Sequence, residues 1–249
     1  MHRLLVETEQ LEAETPVLSQ EARNHLKVLR PKEGEAIELF DGQGRWRTFA
    51  CRRTGGTSVG LAPVSDVQTL ARPTAALTLF ACVTKGSRWD WTIEKATELG
   101  VTRLVPVISE RTIVRLAPND CAAKRARWQR IAEDAARQSD AKWLPEILSP
   151  VSFADVLPLV RATTCFVGAL TDPPPPPMGA ALAAAPAASA AAGWAVFVGP
   201  EGDFTPSELV ALLEVATPVG FGPTILRAET AAIYGVSVLK AFLDDVRPR

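Results

Sequence analysis

The pattern of apolar and polar residues changes character near residue 71. Before that point the two kinds alternate over short stretches. Ala36-Ile37-Glu38-Leu39-Phe40 runs into a turn at Asp41-Gly42-Gln43-Gly44, and Trp46–Cys51 follows as a second strand. A Gly55-Gly56 turn and a third strand over Ser58–Ala62 complete a set of short, closely spaced strands, which predicts a small β-barrel. A helix over Gln20–Leu29 precedes them and has to end before Pro31.

Beyond Ala71-Arg72-Pro73 the apolar runs become continuous. Residues 75–83, AALTLFACV, suit a strand buried on both faces. A helix over Ser87–Leu99, a strand over Leu104–Ile108 and a long helix over Asp120–Ser139 follow. The long helix places Trp128, Ile131, Ala132, Ala135, Ala136 and Ser139 on one stripe. Further strands are expected over Thr164–Val167, Ala195–Val198 and Pro218–Phe221, and a closing helix over Ala228–Val246. Strands alternating with helices predict an α/β domain with a mainly parallel sheet. The expected division is therefore a small β domain over residues 1–70 and an α/β domain over 74–249.

The 249 residues are 47% apolar, which excludes a wholly disordered chain. Lys and Arg number 27 against 28 Asp and Glu, so no basic coat covers the whole surface. The distribution is uneven: residues 71–150 hold 13 basic and 9 acidic side chains, whereas residues 151–249 hold 5 and 9. A polyanionic partner is expected to meet the middle third.

The four cysteines, at 51, 82, 121 and 165, form no CxxC motif and read as buried thiols in a reducing compartment. Glu7 follows the N-terminus too closely for a secretory signal. Residues 173–200 carry no Asp, Glu, Lys or Arg, yet Pro173–Pro177 and Pro186 interrupt the stretch and Ala dominates it. It reads as a Pro/Ala linker leading into a buried strand over Trp194–Val198 rather than a membrane span.

Three segments carry candidate chemistry. In Val198-Gly199-Pro200-Glu201-Gly202-Asp203-Phe204-Thr205-Pro206-Ser207-Glu208 a strand ends, two glycines allow close backbone approach, and a helix opens. Thr205 is its N-cap, Pro206 its first residue and Glu208 the third after the cap. Ligands of open α/β sheets bind at such strand ends, although an ordinary strand-to-helix turn has the same pattern. Dinucleotide and phosphate-loop signatures are missing from it.

The second segment, residues 221–231, FGPTILRAETA, brings Arg227 and Glu229 into an apolar neighbourhood, where they are either paired with one another or used. The third, residues 85–100, is a helix capped by Ser87 and stopped by Gly100. Arg88, Trp91 and Lys95 share one face of it, fit to hold phosphates and stack a base, or else a solvated face partnered by Asp90 and Glu94. Trp89, Ile93 and Ala96 form the core-facing stripe. Glu110, Arg111 and Arg115, with Lys124, Arg125, Arg127 and Arg130, extend the basic surface or are simply solvated. The two histidines, His2 and His25, lie far from these loops, so neither a histidine metal site nor a Ser-His-Asp triad is expected.

Together with His25-Leu26-Lys27-Val28-Leu29-Arg30 and residues 133–145, and in this order along the chain, the three segments resemble the SPOUT class of RNA methyltransferases, most closely the RsmE family. The resemblance implies a PUA-like β-barrel followed by an α/β domain with a C-terminal trefoil knot. It also implies a cytoplasmic homodimer that uses S-adenosylmethionine (SAM) to methylate N3 of a uridine in 16S ribosomal RNA or the small ribosomal subunit, with no metal and no membrane. The implied cofactor residues are Leu170, Thr171, Gly199, Pro200, Glu201, Gly202, Phe221, Gly222, Ile225, Leu226 and Thr230.

Arg227 is the implied stabiliser of charge on the uracil, and Glu229 the implied base. Arg3, His25, Arg30, Lys85, Arg88, Lys95 and Arg111 are the implied RNA contacts. Two departures stand out: Asp203 and Asp140 occupy positions where the family commonly has glycine. They support the alternative of an RNA-binding module with weakened catalysis. A related methyltransferase acting on another RNA is the other alternative.

Overall fold

The computed structural model describes residues 1–53, 59–185 and 193–245. The expected Gly55-Gly56 turn, Ser58, Pro186 and Val246 lie outside the described residues. The chain divides into two compact units. The first combines Met1–Pro73 with Glu133–Leu144, a segment that the sequence reading left in the α/β domain; the second holds the remainder.

The first unit begins with β1 (His2–Leu5), followed by α1 (Glu9–Glu12) and α2 (Gln20–Leu29). The strands β2 (Ala36–Phe40), β3 (Arg45–Arg53), β4 (Val59–Pro63) and β5 (Gln68–Thr69) complete it. They form a five-stranded sheet in the order β1-β2-β3-β4, with β5 also on β3. The β1–β2 pair is parallel and the others are antiparallel. Ser19 caps α2 through the Ala22 amide, and Arg30 ends it in a left-handed turn before Pro31. Leu4, Ile37, Leu39, Phe49, Cys51 and Leu61 pack beneath Leu11 and Leu26 as the core.

The second unit runs β6 (Leu77–Cys82), α3 (Ser87–Glu98), β7 (Arg103–Ile108), α4 (Cys121–Ser139, of which the part from Glu133 belongs to the first unit), β8 (Glu146–Ile147), β9 (Val151–Ser152), α5 (Phe153–Arg161), β10 (Thr164–Gly168), α6 (Met178–Ala184), β11 (Trp194–Val198), α7 (Pro206–Leu213), β12 (Thr217–Val219) and α8 (Ala228–Asp245). Its strand order is β12-β10-β11-β6-β7-β8, with β9 beside β7, and every pairing is parallel. Alternate residues of the central strands feed two cores. Leu79, Leu104 and Val196 meet α3, α4, α6 and α8 on one face. Phe80, Val105 and Phe197 meet α5 and α7 on the other. Each such side chain contributes about 1.5–3 kcal/mol by leaving water.

Local chemistry explains the element ends. Gly100, at φ +79°, closes α3: its amide donates to Thr97 and the next amide, of Val101, donates to Ala96. Gly86 takes the N-cap position expected for Ser87, in a backbone conformation open to glycine, so the serine becomes the first helical residue. The Pro/Ala stretch is less of a linker than its composition suggests. Met178 and Leu182, one helical turn apart, are buried and hold α6 on the core.

A buried charge cluster ties residues 133–144 into the first unit. Arg3 is 6% exposed. Its Nε donates to Glu38 Oε1 at 2.6 Å, Nη1 to the Ala136 carbonyl at 2.7 Å and Nη2 to the Ala141 carbonyl at 3.2 Å. Lys142 Nζ reaches the same Glu38 oxygen at 2.6 Å. Asp140, left-handed at φ +61°, follows α4, and its carboxylate accepts from Lys142 at 2.8 Å and lies 3.2 Å from Arg3. Burial raises the proton affinity of that carboxyl, but the Lys142 hydrogen bond and the charges of Arg3 and Lys142 outweigh it and hold the pKa below the usual value.

Removing Arg3 leaves the buried Glu38 to Lys142 alone and takes a donor from the Ala136 and Ala141 carbonyls. Arg3→Ala is expected to cost about 3–5 kcal/mol in urea unfolding, against less than about 0.5 kcal/mol for the exposed Arg30→Ala. Equal small losses in both variants would show that the cluster does not hold the unit together.

Candidate functional site

Because β12, β10, β11 and β6 are neighbours and parallel, their C-terminal ends emerge on one edge of the sheet. The segments following β10, β11 and β12, together with the start of α8, enclose a cavity of about 620 Å³. That volume suits a small-molecule ligand. Leu170, Thr171, Gly199, Pro200, Glu201, Phe221, Gly222, Ile225 and Leu226 line it, as does Arg227. Leu170 is 63% and Ile225 81% exposed, so the cavity presents apolar surface left open by the described residues.

Gly202 and Thr230 do not line it. Gly202 instead turns its carbonyl to Arg111, and Thr230 is exposed on α8. The sequence reading missed the wall made by Asp172, Pro174 and Pro175. The proline run directly after β10 was the available signal. It is zipped to the end of β12, where the Gly220 amide donates to the Pro176 carbonyl at 2.9 Å and Met178 N–H donates to Gly220 at 3.2 Å.

The glycine loop is fixed from two sides. Thr205 and Glu208 form the expected capping box on α7, with Pro206 in the first turn. Glu208 is buried, and its other oxygen accepts the Glu110 amide at 2.8 Å, joining the loop after β7 to the start of α7. Arg111 Nη1 donates to the Gly202 carbonyl at 2.9 Å and the Phe204 carbonyl at 3.3 Å. A Cβ on Gly199 would come within 2.9 Å of the Phe204 ring, so only glycine fits that close approach. Asp203 is left-handed at φ +59°, and its carboxylate accepts the Phe204 amide at 2.7 Å rather than capping the helix.

Arg227 and Glu229 are not a mutual pair. Arg227 is exposed on the cavity wall, because the chain leaves the loop there and only then enters α8. Glu229 is mostly buried in the first turn of α8, with Oε1 3.8 Å from Arg88 Nε. Arg88 also lies 3.5 Å from Glu201 of the glycine loop, so one guanidinium stands between two carboxylates from distant parts of the sequence.

The expected RNA contacts separate into groups. Arg30, Lys85 and Arg88 are exposed. Lys95 is bonded to Glu94 at 2.7 Å and Glu98 at 2.8 Å, and both carboxylates raise its pKa. Trp91 is exposed beside them, while Trp89, Ile93 and Ala96 are buried as the stripe requires. Asp90 pairs with Arg127 across the α3 surface.

Three expectations need correction. Arg3 is no RNA contact, since its guanidinium is consumed inside the first unit. His25 is half-buried along a cavity of the first unit; burial, and then the nearby Arg137 charge, lower its pKa, which disfavours a cationic role at neutral pH. Arg111 stays exposed, with Nη1 bonded to the carbonyls of the glycine loop, so it holds that loop as well as facing solvent. The thiols of Cys82 and Cys165 are raised by burial, the former to about 12, so neither is a nucleophile; Cys121, expected buried, is half-exposed. Among the described residues there is no cluster of three or more metal-ligating side chains, and no helix is long and apolar enough to cross a membrane.

Comparison with known proteins adds the following. Residues 71–240 match the family model of an RNA methyltransferase domain, and residues 18–50 that of an RNA methyltransferase PUA domain. The chain is 33% identical to a ribosomal RNA small subunit methyltransferase E from Synechocystis, over 98% of this chain and 78% of that one. It is 27% identical to the Bacillus subtilis protein of the same name, over 96% of each. A crystal structure of the Neisseria gonorrhoeae protein of that name, bound to S-adenosyl methionine, superposes with a TM-score of 0.82, at 29% identity and 97% coverage of both chains.

The backbone of Asp203 supplies a test of the loop. Asp203→Ala keeps the left-handed strain and loses the bond to the Phe204 amide, so it is expected to lower stability by about 1 kcal/mol. Asp203→Gly removes the strain along with the bond and is expected to stay within about 0.5 kcal/mol of the parent. Denaturant unfolding of the two variants decides; an alanine variant as stable as the glycine variant would contradict the strained turn.

Proposed function

The chain belongs to the RNA methyltransferase family and is a SAM-dependent methyltransferase of small-subunit ribosomal RNA, and we propose that the atom it methylates is N3 of a specific uridine. The observation that carries this reading is the cavity at the ends of three adjacent parallel strands, walled by the glycine loop, in a fold shared with a SAM-bound relative.

The residues present fit the cofactor. The cavity has room for it, Leu170, Ile225 and Leu226 offer apolar surface, and Gly222 leaves open space where a Cβ would stand, so backbone is approachable. Thr171, Gly199, Pro200, Glu201 and Phe221 are the further proposed contacts. Gly202 and Thr230 are withdrawn from that set, having no place on the cavity wall.

SAM supplies an electrophilic methyl group on a sulfonium, so the protein needs no nucleophile of its own. Its residues prepare the acceptor. Uridine N3 carries a proton at neutral pH, and losing it spreads negative charge onto the flanking carbonyl oxygens. Arg227 on the cavity wall donates to one of those oxygens. Glu229 is not itself on the cavity wall but directly follows Arg227 and Ala228, which are, and it is the proposed acceptor of the N3 proton. A uridine buried in a folded RNA reaches such a pocket only by leaving its stack.

Arg30, Lys85, Arg88 and Lys95 are the proposed phosphate contacts, which position the RNA without reading its sequence. The proposal extends to architecture. Residues 1–73 together with 133–144 form a PUA-like barrel that binds RNA, the remaining residues the SPOUT domain with a C-terminal trefoil knot, and two copies associate in the cytoplasm. The matches to an RNA methyltransferase domain and an RNA methyltransferase PUA domain support the two-domain part of this reading. Asp203 gives little support to the weakened-catalysis alternative, because its carboxylate is engaged by the neighbouring amide.

Transfer of a labelled methyl group to small ribosomal subunits, with the product base identified after digestion, tests the reading. Arg227→Ala is expected to lower kcat by about 10²–10³ with SAM affinity changed less than tenfold. SAM binding without turnover on any ribosomal RNA would favour the binding module instead. Arg88→Ala and Lys95→Ala are each expected to reduce the salt dependence of RNA binding by about one unit of slope. An unchanged slope in both would remove α3 from the RNA interface.

A further inference from the structure

Behind the glycine loop lies a second, much smaller space. The end of β6, the first turn of α3 and the first turn of α8 enclose it, and Cys82, Thr84, Trp89, Gly199 and Glu229 are on its walls. It is too narrow to admit a water molecule. Three of those side chains each hold a buried polar atom with no hydrogen-bond partner: Thr84 Oγ1, Trp89 Nε1 and Glu229 Oε2. Thr84 is 4% and Trp89 2% exposed, so neither reaches solvent instead. An unpaired buried group costs about 1–3 kcal/mol, and all three residues border this one space.

Their chemistry is complementary. A hydroxyl and an indole N–H are donors, and a carboxylate oxygen is an acceptor. The two remaining polar neighbours are already engaged. The Thr92 hydroxyl donates to the Arg88 carbonyl at 3.0 Å. The Cys82 thiol, raised to about 12 and therefore neutral, donates to Ser109 at 3.5 Å. The other carboxylate oxygen of Glu229 faces Arg88, which Glu201 shares.

We propose that Thr84 and Trp89 are positioning residues for Glu229. In the reacting complex the first turn of α8 closes on this space, and the Thr84 hydroxyl and Trp89 N–H donate to Oε2. That fixes the carboxylate with Oε1 turned outward to receive the uridine N3 proton. The proposal rests on Glu229 as the proton acceptor. It assigns this chain a pair of donors, 140 or more positions earlier in the sequence, that act only through that carboxylate.

The test is methyl transfer by the full-length protein to small ribosomal subunits, comparing Thr84→Val, Thr84→Ser and Trp89→Phe, alone and with Glu229→Gln. Thermal unfolding confirms that each variant is folded, and Thr84→Val changes least in shape. Thr84→Val is expected to lower kcat about tenfold or more, with KM for RNA and SAM within about twofold. Thr84→Ser should restore the rate, and Thr84→Val should add nothing in the Glu229→Gln background. Where Glu229→Gln turnover falls below detection, the loss in kcat alone and its rescue by serine decide. A Thr84→Val enzyme with parental kcat, or one that loses as much without Glu229 as with it, overturns the positioning role. Parental turnover in Glu229→Gln overturns the reading of Glu229 itself, a result distinct from either.

Discussion

Parallel strands that end side by side must release their chains at the same edge, and the rest of the second unit is arranged around that constraint. With β12, β10 and β11 adjacent, two successive crossovers and the passage into α8 deliver three loops to one place. Each loop needs its own anchor, because a loop held only at its ends would collapse into the space between them. The glycine loop is anchored by the capping box below and by Arg111 and Glu208 beside it. The proline run is anchored by backbone bonds to Gly220. Phe221 is anchored by its ring, which lies against Tyr234 and occupies room that a Cβ on Gly168 or Gly235 would take. The cavity is the volume these anchors leave.

Features that depend on near neighbours in sequence could be read directly. The capping box at Thr205 and Glu208, the Gly100 stop and the buried run of β6 each follow from residues within a few positions. Features decided by distant partners could not. β1 shows no alternation because Arg3 and Leu4 are both buried, one by charge pairing and one by packing, so its strand pattern is hidden. α5 has a Ser152 cap bonded to the Asp155 amide, but Pro158 inside it disguises the helix. Arg227 and Glu229 stand two apart and suggest a pair, whereas the helix start between them turns Glu229 toward Arg88 and leaves Arg227 on the cavity. No spacing rule connects residues 88 and 229.

Asp140 and Asp203 share a backbone property that composition conceals. Both sit in the left-handed region, the reason glycine is usual at such positions. Each recovers part of the strain through its carboxylate. Asp203 accepts the next amide in the chain, and Asp140 accepts from Lys142 beside Arg3. Asp is among the few residues whose short polar side chain makes that conformation tolerable, so the two substitutions are chemically conservative for the backbone although not for charge.

The Arg3 cluster has a consequence for how the protein can be taken apart. It joins Arg3 of the first strand and Glu38 of the second to the Ala136 and Ala141 carbonyls and the Lys142 amine, more than 100 residues later. A fragment cut at the composition boundary near residue 73 would carry Arg3 and Glu38 without the carbonyls and the lysine that neutralise their burial. The first unit is therefore not a portable module in the linear sense. Gene fusion or domain shuffling can move it intact only by carrying the 133–144 segment along, which makes the two halves of the chain heritable as one piece.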